Sequence, residues 1–123
     1  MAKAILKKTP IHCVVKLSGA STETITLNTD LLHTNETASG AKVNIAGIYW
    51  SIASGQATIT RNATQLYALS GSYNFEFNGF ADTTEQTSDL VITIPAGGGV
   101  VIVELVKVGG YGNEQHRNQL GGP

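Results

Sequence analysis

Charge is what this chain has least of. Only 14% of its 123 residues are Asp, Glu, Lys or Arg, against about 25% in an ordinary soluble domain, and Thr, Ser, Asn and Gly stand in their place. Eight basic residues against nine acidic ones leave a net charge of −1, so there is no basic excess to neutralise phosphates and general nucleic-acid binding is excluded. A polar surface poor in ions can be covered by a neighbouring protein without burying unpaired charge, and this points to a subunit of an assembly. Cysteine is nearly absent too. Cys13 is the only one, so no disulfide can close within the chain, and the framework of small secreted domains is ruled out. Folding in a reducing cytoplasm fits, and the alternation of Cys13 with Ile11, Val15 and Leu17 predicts a buried, inert thiol. Long apolar runs are missing as well: none approaches the roughly 18 residues that cross a bilayer, and the stretch from Met1 to Lys8 lacks the apolar region of a signal peptide. Neither membrane association nor export is expected.

What is present is alternation. Tyr73-Asn74-Phe75-Glu76-Phe77-Asn78 sets three aromatics on one side of a strand and three polar residues on the other, the pattern of a half-buried antiparallel strand. The same reading places strands at 11–17, 22–28, 42–52, 56–61, 65–69, 73–78, 89–94 and 99–108, separated by Gly-, Ser- and Asn-rich turns. The fold class is all-β, an antiparallel β-sandwich or jelly roll, since a parallel sheet would need helical crossovers of about a dozen residues. Ala53-Ser54-Gly55 and Ser70-Gly71-Ser72 are expected to turn the chain through glycines at positive φ, and Arg61-Asn62-Ala63-Thr64 to make a tight hairpin. Pro95-Ala96-Gly97-Gly98-Gly99 reads as a loose hairpin; it lacks the Lys and Ser/Thr of a phosphate-binding loop. Residues 99–108 are apolar on both parities until Glu104, which predicts a strand covered on both sides.

The organisation is a basic arm over residues 1–10, a sandwich domain over 11–108 and a Gly-rich tail over 109–123 that should not order itself alone. Lys3, Lys7, Lys8 and Lys16 fall early with no acid among them, while Glu76, Asp82, Glu85 and Asp89 fall later with no base, an asymmetry that can steer assembly. No catalytic constellation is found. His12, His33 and His116 make no metal-binding pair, no Gly-x-Ser-x-Gly elbow is present, and Asp82, Glu85 and Asp89 read as a solvated loop rather than a pair of catalytic carboxylates. Neither a cofactor nor a metal is expected, and the chain reads as no enzyme.

The stretch from Leu31-Leu32-His33 through Val43-Asn44-Ile45, Tyr49-Trp50-Ser51, Ala57-Thr58-Ile59-Thr60-Arg61-Asn62 and Leu69-Ser70-Gly71 to the run Ile102 to Tyr111 resembles small virion structural proteins of tailed bacteriophages, especially marine ones. The resemblance implies a non-enzymatic β-sandwich, assembled in the host cytoplasm, that decorates or cements the capsid or belongs to the neck or tail. Its partners would be the major capsid protein, other virion subunits and copies of itself. On that reading Lys3, Lys7, Lys8, His116 and Arg117 are the expected partner-binding residues, with Tyr111 as aromatic anchor. The alternative is a carbohydrate- or receptor-binding module that stacks sugars on Trp50, Tyr49 or Tyr67.

Overall fold

We describe residues 2–33, 36–77 and 81–111 of a computed structural model of the chain. Seven strands follow one another: β1 (Ala2–Lys8), β2 (His12–Gly19), β3 (Thr22–Ile25), β4 (Lys42–Arg61), β5 (Thr64–Glu76), β6 (Leu90–Thr93) and β7 (Gly99–Gly109). All pairings are antiparallel. The larger layer runs β1-β2-β7-β4-β5 and the smaller β3-β6-β4-β5, with β4 and β5 passing from one to the other.

The register shows how two layers arise from one sheet. β4 pairs with β7 as far as Ile52 opposite Gly99, and then with β6 from Thr58 opposite Thr93. β2 ends at Gly19 opposite Gly99, and β3 begins at Thr22 opposite Thr93. β6 and β7 therefore form one long ribbon against β4, broken at 94–98, and β2 and β3 form another, broken at 20–21. Each of the four ribbons bends where it crosses the same line. At the bends stand Gly19, Gly55, Gly71 and Gly98, with φ of 111°, 79°, 71° and 81°, values that side chains resist and glycine tolerates. The sheet is folded along a crease of glycines, and its inner face closes on itself.

Three sequence expectations change accordingly. Residues 53–55 and 70–72 do not reverse the chain: β4 and β5 run through them, and the positive-φ glycines bend strands that keep the same partner. Residues 95–99 do not form a hairpin, because β6 and β7 do not pair with each other but share β4. Residues 1–10 are not a free arm, since Ala2–Lys8 is β1, hydrogen-bonded to β2 with a bulge between Ile5 and Lys7. The tight hairpin is as expected: Asn62 and Ala63 have φ of 51° and 58°, a two-residue turn between paired Arg61 and Thr64.

The core lies between the layers. Cys13, Val15 and Leu17 of β2 meet Val101, Val103 and Leu105 of β7 and Ile48 of β4, and across from them stand Ala57, Ile59, Leu90, Ile92 and Ile25. Cys13 is fully buried, and burial pushes its thiol pKa up. The other face of the larger layer is less covered: Val14, Val100, Ile102 and Val106 point outward and are half-buried among their in-sheet neighbours. β1 lies beside β2 rather than over this face, so the arm does not supply the second cover expected for β7.

Two neighbouring substitutions should move stability in opposite directions. A side chain in the left-handed region costs about 1–2 kcal/mol and glycine's freedom about 0.5–1, so Ala63→Gly should stabilise by roughly 0.5–1 kcal/mol. Gly55→Ala should destabilise, because its Cβ would also stand 3.2 Å from Cβ of Pro95. Urea unfolding followed by circular dichroism measures both midpoints.

Candidate interaction surface

Two cations sit inside the fold, each at the end of an inward-facing apolar series. On β7 the series Val101, Val103, Leu105 is continued by Lys107; on β4, Ala57 and Ile59 are continued by Arg61. A buried charge is tolerated only when every donor finds an acceptor. The Lys107 ammonium pairs with Glu36 in a fully buried ion pair and donates to the carbonyls of Leu31 at 2.8 Å and Thr9 at 3.2 Å. Arg61 donates to the carbonyls of Val43 at 2.8 Å, Gln86 at 3.0 Å and Ser88 at 2.7 Å. Burial lowers the Arg61 pKa, and the nearby Asp82, Asp89 and Glu85 oppose that shift. Lys107 thus ties down the connection between β3 and β4, and Arg61 the connection between β5 and β6.

Tyr111 belongs to the first of these clusters. It is fully buried, its hydroxyl donates to the carbonyl of Leu27 at 2.7 Å, and the Lys107 ammonium stands 4.2 Å from its ring centroid. Burial pushes its phenol pKa well up. The neighbouring backbone closes the contact, with the amides of Thr37 and Ser39 bonded to the carbonyls of Tyr111 and Gly110. Tyr111 is therefore an anchor for its own domain and not for a partner, a correction that follows from its burial.

Lys3 is also engaged within the chain. It donates to Asp30 at 2.8 Å and to the carbonyl of Thr24 at 2.9 Å, and stands 3.9 Å from Glu23, which joins the β1 edge of one layer to the β3 edge of the other. Lys7 and Lys8 remain exposed on β1. His116 and Arg117 lie outside the described residues, as does the tail beyond Tyr111. The acidic loop is built rather than merely solvated: Asp82 accepts from Tyr67 and from the Thr84 amide, Glu85 from Asn62 and Asp89 from the Leu27 amide. Burial alone would raise the Asp82 pKa, but the bonds from Tyr67 and Thr84 outweigh it and hold the carboxyl below its usual value. Among the described residues no three His, Cys, Asp or Glu are grouped to hold a metal ion, and no helix is long and apolar enough to cross a membrane.

Among the described residues the fold leaves open three edges and one face: β1 pairs only with β2, β5 only with β4 and β3 only with β6. Along β5, Tyr73 is 70% and Phe75 48% exposed, although their parity is that of Ile48 and Ile52, because the smaller layer does not reach over them. They form an aromatic row with Trp50 6.2 Å from Tyr73 and Phe77 4.7 Å from Phe75. Trp50 is only half-buried and donates to the carbonyl of Ser70 at 2.9 Å. A shallow recess of about 240 Å³ is lined by Trp50 and Tyr73 but opens mainly on the opposite, outward face, among Tyr49, Ser51, Asn74, Val100 and Ile102. Tyr49 stands on the opposite face from Trp50, and its bond to Glu76 pushes its phenol up to about 12. Of the three candidate stacking aromatics only Trp50 belongs to the exposed row; Tyr67 is half-buried against Phe77.

No protein-family model matches the chain, and no curated protein does. Among solved structures it is similar to a cupin superfamily protein from Desulfitobacterium hafniense. The identity is 12%, the likeness covers 86% of this chain and 75% of that one, and the TM-score is 0.38; a likeness of that order says nothing of this chain's chemistry.

Removing one partner of a buried ion pair strands the other, at a cost of about 3–5 kcal/mol. Glu36→Ala and Lys107→Ala should each lose about that much in urea unfolding. Lys107→Met, which keeps volume but takes the buried countercharge away from Glu36, should be no better.

Proposed function

We propose that this chain is a non-enzymatic structural protein of a phage virion, a decoration or cement protein that lies on the outer surface of the major capsid protein lattice. The observation that carries the reading is the open face of the larger layer. There Val14, Val100, Ile102 and Val106 alternate with their cross-strand partners Glu104, Ser18, Lys16 and His12, a mixed surface whose formal charges are those of Lys16 and Glu104 and which a neighbour can cover with little desolvation of charge. The charge-poor composition and the resemblance of residues 31–111 to phage virion proteins support the same reading. Contact would be made by a sheet face, so affinity would come from area and from many copies acting together.

A carbohydrate- or receptor-binding module is the second reading, favoured by the exposed row of Trp50, Tyr73 and Phe75. In that case Trp50→Ala would abolish a calorimetric glycan signal that the capsid reading does not expect.

The test is co-sedimentation with phage heads that lack the protein. Ile102→Lys should keep the fold but reduce occupancy by about tenfold or more, the effect of a charge placed in an interface core. Truncation after Tyr111 should weaken attachment and leave a folded domain, whereas removal of residues 109–123 should unfold it by taking out Tyr111. Wild-type occupancy by both folded variants would overturn the proposal.

A further inference from the structure

The large hydrophobic side chains exposed among the described residues are Ile5, Leu6, Tyr73, Phe75 and Val108. Four of them lie on β1 and β5, the two free edges of the larger layer. A free edge carries unpaired N–H and C=O groups, and folded proteins blunt it with lysines, bulges or prolines. β1 has such protection, with exposed Lys7 and Lys8 and a bulge between Ile5 and Lys7. β5 has none over residues 71–76: it carries exposed Tyr73 and Phe75, and its one charge is Glu76. The two edges are thus opposite in sign and alike in exposing apolar side chains.

We propose that copies of this chain join edge to edge, the free side of β1 in one copy adding to the free side of β5 at residues 71–76 in the next. Direction permits it. Every neighbour in the layer β5-β4-β7-β2-β1 is antiparallel, so its first and fifth strands run the same way. A copy rotated about an axis along the strands therefore brings β1 alongside β5 in parallel, and the basic end of β1 falls at the acidic end of β5.

The bulge sets the register. Across it Ile5 stands opposite Val15 and Lys7 opposite Val14, so two residues of β1 advance by one position. Ile5 consequently shares the inner face of the layer while Lys7 faces outward. On β5 the neighbours Phe75 and Glu76 are divided in the same way, Phe75 inward with Ile48 and Glu76 outward. Ile5 beside Phe75 then places Lys7 beside Glu76, apolar with apolar and base with acid, as cross-strand pairing favours. Two-fold pairings are poorer: β1 against β1 gathers the lysines of both copies, and β5 against β5 leaves Glu76 without a base. The contact is heterologous, so it closes into a ring where the rotation allows and continues as a filament where it does not. It uses main-chain pairing at the edges, not the open face assigned to the capsid, and it holds whether or not the chain is a virion protein.

The mass of the full chain, followed by sedimentation equilibrium up to about 1 mM, is the first measurement, and an oligomer is expected. Lys7→Glu and Glu76→Lys should each weaken association by about tenfold at low salt, and the double exchange should restore it, with the difference fading as salt screens the pair. In a mixture of Ile5→Cys and Phe75→Cys chains, oxidation should link one variant to the other, with the buried Cys13 left in place. All four positions are exposed, so circular dichroism should show unchanged folds. A monomer throughout the series overturns the proposal, as does an oligomer indifferent to both charge reversals in which no cross-link forms. An oligomer that fails to bind phage heads upholds this contact and removes the capsid reading instead.

Discussion

The sandwich depends on a line of glycines. Four ribbons, β2 with β3, β7 with β6, β4 and β5, must bend at the same place for one antiparallel sheet to cover itself. A side chain at any of the four positive-φ positions would strain the backbone, and at Gly55 it would also press on Pro95. Because the bends are shared, the inner faces of both layers come from the same strands. Hydrophobic residues on either side of Gly55, Ile52 and Ala57, end up in one core without any crossover connection.

With the crease in place, the connections at the ends of the layers need fixing, and the buried cations do this. Lys107 gathers Glu36 and carbonyls from residues 9 and 31, and Arg61 gathers carbonyls from residues 43, 86 and 88. Each stands at the inward end of an apolar strand face, where a long side chain can leave the core and reach polar backbone. Such an arrangement adds specificity more than net stability, since every carbonyl must be in place before the charge is satisfied. Among the described residues, the surfaces left for other molecules are those that neither device touches: the outward face of β7 and β2, and the edges β1, β3 and β5.

The all-β class and most strand positions were legible because alternation survives burial on one face, as in Tyr73 to Phe77 and Ile11 to Leu17. The crease was only half legible. Glycine at 55 and 71 signals positive φ, but a hairpin and a bend use that freedom alike, and only the partner of the following residues tells them apart. β1 was hidden because Lys3, Lys7 and Lys8 break its pattern and because an edge strand need not alternate. Tyr111 was misread for the opposite reason: a lone aromatic in a Gly-rich stretch looks unanchored until Leu27 and Lys107 are seen around it. Lys107 and Arg61 could have been found, since each falls on the inward parity of its strand, where a solvated cation has no place. The sharing of exposed apolar residues between two particular edges depends on topology and leaves no local trace.

The position of β7 bears on how the chain is made. It is the centre of the larger layer, between β2 and β4, yet it comes from residues 99–109, nearly the last in the described sequence. Its contacts with β2 span from 80 residues of chain, between Gly19 and Gly99, to 94, between His12 and Val106, and pairings so remote are slow to form. Until β7 emerges from the ribosome, β2 and β4 face each other across an empty slot, each with an unpaired apolar flank. The larger layer therefore cannot close before residues 99–109 have been made, and nascent chains held short of that point are the ones most prone to stick to one another.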